Sequence, residues 1–232
     1  MSDNLSTPAI GFNYGFADFN PEEIETDETI NAVFVVDTSI SIQKYVKDLN
    51  DAFNDFTETM QKSHVAPKLF VSIVEFDETV KVTSGFQPIS NIPTMDFGKK
   101  LGPATSLYDA VNLGVTRALD YRKNQENSGV NCKTLIFVIT DGDDNNSKDA
   151  DGRDTKKLIE AFKSDERGAF TFTTIMFGVG TGASFKIAKD AMGIEHLGQV
   201  GTTGAELRKM IGFISQSISS VSSNQQISGP SF

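Results

Sequence analysis

A run of β-branched and aromatic residues that ends at a carboxylate constrains the fold of this chain more than any other feature. Residues 33–36 read Val-Phe-Val-Val, which is typical of a strand buried on both faces of a parallel sheet. The run ends at Asp37, and Ser39 and Ser41 follow at alternate positions. Because open α/β sheets bind ligands outside the carboxyl ends of their strands, we expect these three oxygen donors to lie at a binding edge.

The rest of the chain alternates between apolar runs and helical periodicity. Further strands are predicted at residues 68–76, 79–83, 135–139, 170–177 and 196–200. Helices are predicted from residue 42 to 60, from about 107, from about 154, through 185–191 and over 207–221. This order predicts a doubly wound, mostly parallel α/β sheet with helices on both faces and residues 79–83 as an antiparallel edge strand.

The helix expected from residue 107 is preceded by a segment rich in Gly, Pro, Asn and Ser. We expect residues 85–103 to form a loop with one short helical turn, which delivers Thr105 to the start of the helix. Ser106 and Asp109 have the spacing of a capping box, so their side chains are predicted to cap this helix.

Charge and cysteine content exclude several classes of partner. The chain has 21 Lys plus Arg against 31 Asp plus Glu, a formal net charge of -10, which disfavours nucleic acid and anionic membranes. Cys132 is the only cysteine, so no internal disulfide or thiolate zinc site is expected. No signal peptide is recognisable, and no apolar run approaches ~18 residues. We therefore predict a cytoplasmic protein.

One domain accounts for most of the 232 residues. Residues 31–222 contain nearly all of the predicted strands and helices and are long enough for a sizeable core. Residues 1–30 are predicted to be an arm with aromatic residues followed by an acidic run, and residues 223–232 a flexible polar tail.

The side chains expected at the binding edge share one chemistry, since all of them offer hard oxygen atoms. They are Asp37, Ser39, Ser41, Thr105 and Asp141. Hydroxyls and carboxylates suit Mg²⁺, Mn²⁺ or Ca²⁺, whereas a zinc site would normally contribute imidazole or thiolate. With only two carboxylates, a bound cation would remain electrophilic and keep a coordination position open. A partner's Asp or Glu would fill that position.

Three motifs in this order resemble the von Willebrand factor A (vWA) domain and its metal-ion-dependent adhesion site (MIDAS). The motifs are Asp37-Thr-Ser39-Ile-Ser41 after the first strand, Gly102-Pro-Ala-Thr105-Ser-Leu-Tyr-Asp, and Thr140-Asp141-Gly142 after a later strand. The resemblance covers residues 31–222, and three motifs together are far more specific than any one of them.

The resemblance implies a mostly parallel six-stranded sheet with one antiparallel edge and a Rossmann-like layout. It implies that Ser39, Ser41 and Thr105 contact the metal, while Asp37 and Asp141 act directly or through water. It also implies an adaptor role like that of prokaryotic stress-response and tellurite-resistance-type members, with an AAA-type ATPase or a stress-response complex as partner. Ile40 departs from the pattern, because many members have Gly there, and we expect it to influence the choice of partner.

Some of these residues also fit other functions. Asp37, Ser39 or Ser41 can cap the following helix, a role compatible with metal binding. A phosphoryl-accepting Asp37 would need a second carboxylate two positions on, where Ser39 stands. His64 and His196 are separated from the site by a helix and by topology, so no Ser-His-Asp triad is predicted.

The segment after Asp141 begins like an EF-hand calcium loop. Its sixth and twelfth positions are Asn146 and Gly152 instead of Gly and Glu, so the calcium loop is rejected. We predict that Asp143 and Asp144 are solvated acids at the rim.

Gly178, Gly180 and Ala183 match a permissive dinucleotide-binding pattern. The match follows a late strand and has no acid about 20 residues further on, so a glycine-rich turn from strand to helix is preferred. Cys132 is predicted to be a small buried residue with no chemical role.

Two functions therefore remain. The first is divalent-cation-dependent binding of an acidic side chain of a protein partner, with no enzymatic activity. The second is a hydrolase or phosphoryl-transfer enzyme in which the same metal activates water or positions phosphate. The arm either covers the domain or docks into a metal site through Glu22, Glu23, Glu25 or Glu28.

Overall fold

The computed structural model describes residues 28–164, 170–181 and 184–231. The predicted arm over residues 1–30 therefore lies outside the described residues, except for its last three positions. Within the described ranges, no helix is long and apolar enough to cross a membrane.

Six strands form one sheet. They are β1 (Glu28–Asp37), β2 (Leu69–Phe76), β3 (Val80–Pro88), β4 (Asn131–Thr140), β5 (Phe172–Val179) and β6 (His196–Val200). Their spatial order is β3-β2-β1-β4-β5-β6, and every neighbouring pair is parallel except β2 with β3. The predicted α/β class, the strand count and the antiparallel edge are confirmed.

Helices cover both faces of this sheet. The α-helices are α1 (Val46–Gln61), α2 (Leu107–Asn127), α3 (Gly152–Lys163), α4 (Phe185–Met192) and α5 (Gly204–Ser222). Short 3₁₀ turns occupy Ile40–Lys44, Ala66–Lys68 and Ile89–Asn91.

The central strand β1 divides the core into two layers. Because side chains alternate along a strand, Phe34 and Val36 face the layer formed with α1 and α5, whereas Val35 faces the layer with α2, α3 and α4. The Phe34 ring packs edge-on against Phe53 of α1, with 5.0 Å between ring centroids. Burial on both faces explains why β1 shows a continuous apolar run.

The segment between β2 and α2 differs from its prediction. The edge strand β3 continues to Pro88, where a loop was expected from residue 85. Phe86 supplies the reason, since it is 3% exposed and its ring stacks on Tyr121 of α2 with centroids 4.2 Å apart. The expected helical turn is present at Ile89–Asn91.

The predicted capping box at the start of α2 is wrong. Ser106 makes no capping hydrogen bond, and its hydroxyl accepts one from Asn146 Nδ2 at 2.9 Å instead. The Asp109 carboxylate accepts hydrogen bonds from the backbone N–H groups of residues 148–150, at 2.8 to 3.0 Å. Both side chains therefore hold the loop between β4 and α3.

The glycines of the rejected dinucleotide pattern have structural roles. Gly178 lies within β5, and a Cβ there would come 2.2 Å from the Phe185 ring of α4. Gly180 has a φ of +86°, which favours glycine. These positions serve packing and a turn, while Ala183 lies outside the described residues.

The C-terminal segment after α5 contacts the domain. Lys133 Nζ donates to Asn224 Oδ1 at 2.6 Å, and Ile227 packs against the core layer of α1 and α5. The flexibility of residues 223–232 and the domain boundaries at 31 and 222 stay predictions. Cys132 is buried and free, as expected.

Candidate metal site

Three loops meet at the carboxyl edge of the sheet. β1 ends at Asp37 and its parallel neighbour β4 ends at Thr140, with Val36 opposite Ile139 in the register. The segment before α2 is tied to the first loop, because the Ile40 backbone N–H donates to the Gly102 carbonyl at 2.8 Å. Residues distant in sequence are thereby brought to one place.

The serine hydroxyls form a short hydrogen-bonded chain with one carboxylate. The Ser39 and Ser41 Oγ atoms lie 2.8 Å apart, and Ser41 Oγ donates to Asp141 Oδ1 at 2.6 Å. Because the single Ser41 proton goes to Asp141, Ser39 is the donor in the bond between the two hydroxyls. Both serine protons are then used inside this hydrogen-bonded chain, and lone pairs of the two hydroxyl oxygens are left for a ligand.

The carboxylate of Asp37 lies beneath this chain and is 1% exposed. Its Oδ1 accepts the Ser39 backbone N–H at 2.8 Å and its Oδ2 accepts the Thr140 hydroxyl at 2.6 Å. Burial raises the pKa of Asp37, and the charge of Asp141 raises it further, while the bonds from Ser39 and Thr140 oppose the rise. An ionised Asp37 is therefore costly unless a cation compensates it.

Thr105 packs against the turn that carries Asp141. Its Oγ1 lies 3.6 Å from the position that a Cβ on Gly142 would occupy. Its backbone N–H donates to Asn145 Oδ1 at 2.8 Å, and its carbonyl accepts the N–H groups of Asn145 and Asn146. The structure thus places Thr105 beside the Asp141 turn and joins Asp37, Ser39, Ser41 and Asp141 through direct hydrogen bonds.

The prediction that Asp143 and Asp144 are merely solvated is wrong for Asp144. Its Oδ1 accepts the Tyr108 backbone N–H at 3.2 Å and the Ser147 hydroxyl at 2.5 Å. Asp143 is exposed, but it accepts the Ser184 backbone N–H at 2.8 Å. Both carboxylates hold loops because they lie close to free N–H groups at the starts of α2 and α4.

Two residues outside the predicted ligand set also contribute to the site. The Thr140 hydroxyl donates to Asp37, and Tyr45 is a buried phenol whose pKa is raised by burial and by the charges of Asp141 and Asp37. Tyr45 follows Ser41 by four positions, so a helical turn after the motif was the available signal. Asp141 belongs to another loop, so spacing within one segment does not reveal that its charge acts on Tyr45.

The donor set fits a hard divalent cation. Five oxygen-bearing side chains surround the edge, and hydroxyls with carboxylates are ligands that Mg²⁺, Mn²⁺ and Ca²⁺ accept. In the part of the chain that the structure describes, no group of three or more His, Cys, Asp or Glu residues is placed to hold a metal. Any metal at this edge would therefore depend on hydroxyl ligands. Ile40 projects at the rim and is 52% exposed.

Solved structures share this architecture. Proximal thread matrix protein 1 from the mussel byssus, with a zinc-occupied MIDAS motif, aligns with a TM-score of 0.56 and 15% identity over 82% of this chain and 45% of its own. The ArnB paralog VWA2 from Sulfolobus acidocaldarius aligns with a TM-score of 0.53 and 16% identity, over 80% of this chain and 45% of its own. This chain has the vWA fold. The PilB minor pilin from Streptococcus sanguinis aligns with a TM-score of 0.56 and 15% identity, over 84% of this chain and 62% of its own.

These similarities describe the fold of the vWA-like domain and not a whole protein. The chain spans 45% to 62% of the length of those three structures. No protein-family profile and no curated protein sequence matches it.

Proposed function

We propose that this protein binds an acidic side chain of a protein partner through a divalent cation held by Asp37, Ser39, Ser41, Thr105 and Asp141. The observation that carries the proposal is the hydrogen-bonded chain from Ser39 through Ser41 to Asp141, which adjoins the buried Asp37 carboxylate. A vWA-like structure with a zinc-occupied MIDAS motif supports divalent metal binding at such an edge.

The charges of the site favour an acidic ligand. Two carboxylates offset the charge of a divalent ion, and the three hydroxyls are neutral, so no excess negative charge repels an approaching carboxylate. Mg²⁺ prefers six oxygen ligands and usually keeps water, which leaves exchangeable positions. We therefore propose Mg²⁺ as the cation, with Mn²⁺ or Ca²⁺ as replacements.

The surroundings favour binding over catalysis. Neither histidine is at the site, since His64 follows α1 and His196 begins β6 at the far edge of the sheet. A hydrolase would need a base or nucleophile near the cation. Phosphoryl transfer or hydrolysis is therefore the weaker alternative, and metal-dependent turnover of a generic phosphoester would favour it.

The rim suggests part of the partner's chemistry. Ile40 stands between two proposed ligands with its side chain exposed, so an apolar group beside the partner's carboxylate would find a contact there. An adaptor role in stress response or tellurite resistance, an AAA-type ATPase as partner and a cytoplasmic location stay hypotheses.

Calorimetric titration of the metal-free protein with Mn²⁺ tests the site. We expect wild type to bind one ion and the Asp141→Asn variant to bind it at least about tenfold more weakly, because a charged oxygen ligand is lost. The matched control is Asp143→Asn, the same change two positions further on, which should keep wild-type affinity.

The open position is tested with a small probe. Acetate should lower the water-proton relaxation of the Mn²⁺-loaded protein by displacing bound water, and neutral acetamide should not. Equal Mn²⁺ affinity in wild type and Asp141→Asn, or no effect of acetate, would contradict the proposal.

A further inference from the structure

A cavity lies at the amino edge of the sheet, at the end opposite the proposed metal site. Its volume is about 560 Å³, within the range of about 300 to 1,000 Å³ that is typical of ligand pockets. Arg122 and Glu126 near the end of α2 form one wall, and the segments at the starts of β1, β4 and β5 form the rest. This amino-edge cavity is therefore large enough to hold side chains of another segment.

The rim of the amino-edge cavity carries an aromatic side chain that the domain leaves uncovered. Phe170 lines the cavity and is 72% exposed, the highest value among the large apolar side chains of the described residues. Val130 and the nearly buried Cys132 also line it. Removing an aromatic ring from water is favourable, because Phe buries a large apolar area. The cavity is therefore suited to an apolar occupant.

The charged groups at this edge leave a positive excess. Arg122 Nε donates to Glu126 at 2.7 Å, so those two charges offset each other. Glu28 forms ion pairs with both Lys68 and Lys133, which are two cations for one carboxylate. These five residues together carry one positive charge more than they neutralise. An occupant with acidic residues beside its apolar part would be attracted here.

The chain itself contains a segment with both properties. Residues 1–27 lie outside the described residues and join the domain at Glu28, which lines the cavity and stands opposite Asn131 in the register. An acidic run over residues 22–27 precedes Glu28, and before it come the arm's aromatic residues, which are Phe12, Tyr14, Phe16 and Phe19. Nine residue steps from position 19 to position 28 span at most about 30 Å. The aromatic residues can therefore reach the cavity.

We propose that the aromatic part of the arm, residues 12–19, packs into the amino-edge cavity of its own copy and covers Phe170. The acidic run over residues 22–27 then lies near the positive excess of Lys68 and Lys133. Because the arm is tethered at the cavity, its effective concentration there is about millimolar, so even a weak contact is largely formed. This inference does not depend on a metal ion, and its failure would leave the proposed function untouched.

Tryptophan fluorescence tests the proposal, because the chain contains no Trp. The reporter is Phe170→Trp, at an exposed position that accepts the larger ring. We expect its emission maximum at shorter wavelength in the full chain than after deletion of residues 1–27, since the arm excludes water from the ring. The matched control is Ile187→Trp, which is 68% exposed on α4 after the carboxyl end of β5. Its emission should be the same in both chains.

Substitutions in the full chain separate aromatic packing from other effects of the deletion. The changes Phe12→Ser, Tyr14→Ser, Phe16→Ser and Phe19→Ser, made together, should move the Phe170→Trp emission to longer wavelength, as the deletion does. An emission maximum that neither the deletion nor the serine substitutions change would overturn the proposal. A maximum of the full chain that moves to longer wavelength on dilution would overturn docking within one copy, because the arm would then bind a neighbour.

Discussion

Asp37 combines nearly complete burial with a negative charge. It is 1% exposed, and its two oxygens accept one hydrogen bond each from Ser39 and Thr140. Burial is the largest influence on its pKa and raises it. The metal-free folded protein therefore binds a proton at Asp37 more tightly than the unfolded chain does, so this group favours folding at low pH.

The first prediction follows from the raised pKa of Asp37. The stabilising contribution of protonated Asp37 is complete at pH values below the ordinary aspartate pKa of 3.8. It is lost as the pH rises through the raised pKa that Asp37 has in the folded protein. Asp37→Asn removes the charge but keeps the shape. Its oxygen can accept the Ser39 N–H and its amide can donate to Thr140, whose own proton can go to the Gly142 carbonyl. We expect a higher melting temperature than wild type at neutral pH in chelator, and no advantage in acid.

Added metal should reverse the order of the two melting temperatures, so that wild type becomes more stable than Asp37→Asn. At Mg²⁺ a hundredfold above its dissociation constant, wild type should gain about 2.7 kcal/mol of unfolding free energy, and Asp37→Asn should gain almost none. Thermal unfolding followed by circular dichroism measures both effects, with exposed Asp143→Asn as the control. A lower melting temperature for Asp37→Asn in neutral chelator would show that ionised Asp37 does not strain the fold.

The five proposed ligands were predicted from sequence because their residue types and order form a recognisable pattern. Asp37 and Asp141 directly follow apolar strands, and parallel strands place their carboxyl ends together. The supporting contacts of Thr140 and Asn145 were missed, because each joins two segments distant in sequence whose proximity in space no local pattern encodes.

At the scale of elements, the start of α2 and the loop after β4 hold each other. The Asp109 carboxylate accepts three backbone N–H groups from residues 148–150, and Ser147 Oγ accepts the Asp109 backbone N–H at 3.0 Å. The loop after β4 also carries Asp141. The geometry of the proposed metal site therefore depends on this reciprocal contact.

The second prediction concerns Asp109→Ala. The substitution leaves three N–H groups without their carboxylate, and we expect the free energy of unfolding to fall by about 2 to 3 kcal/mol. Asp109→Asn keeps the Oδ1 acceptor used by Asp149 and Ala150, so it should lose about 1 kcal/mol or less. Urea denaturation measures both. Equal losses in the two variants would mean that the hydrogen bonds contribute little.

Elements were predicted with different success for physical reasons. Buried strands and amphipathic helices follow from periodicity, and their types and order were correct. The cap of α2 was wrong because Ser106 and Asp109 bond to a loop about 40 residues away. The cap of α3 is local, since Asp151 and Asp154 form a capping box, and that helix begins close to its predicted start.

At the scale of the whole molecule, the two ends of β1 are chemically distinct. Asp37 lies at the proposed metal site, whereas Glu28 at the other end forms ion pairs with Lys68 at 3.3 Å and Lys133 at 2.5 Å. Glu28 and Asp37 are nine residue steps apart, and at roughly 3.3 Å for each step the ends are separated by about 30 Å. Glu28 is therefore too far away to dock into the metal site of its own copy, and its ion pairs oppose docking into a neighbouring copy, so the test below uses Glu22, Glu23 and Glu25.

The last prediction tests that docking. If an arm glutamate occupies the open position of a metal in its own or a neighbouring copy, deleting residues 1–27 should strengthen acetate binding to the Mn²⁺-loaded protein, because an internal competitor is lost. The truncation ends before Glu28 so that its ion pairs are kept. Replacing Glu22, Glu23 and Glu25 with Gln in the full chain should have the same effect without removing the aromatic residues. Sedimentation with Mg²⁺ or chelator distinguishes the two routes, since only docking into a neighbour makes self-association metal-dependent. Identical acetate affinity in the full chain, the truncation and the triple variant would mean that these acids are only solvated.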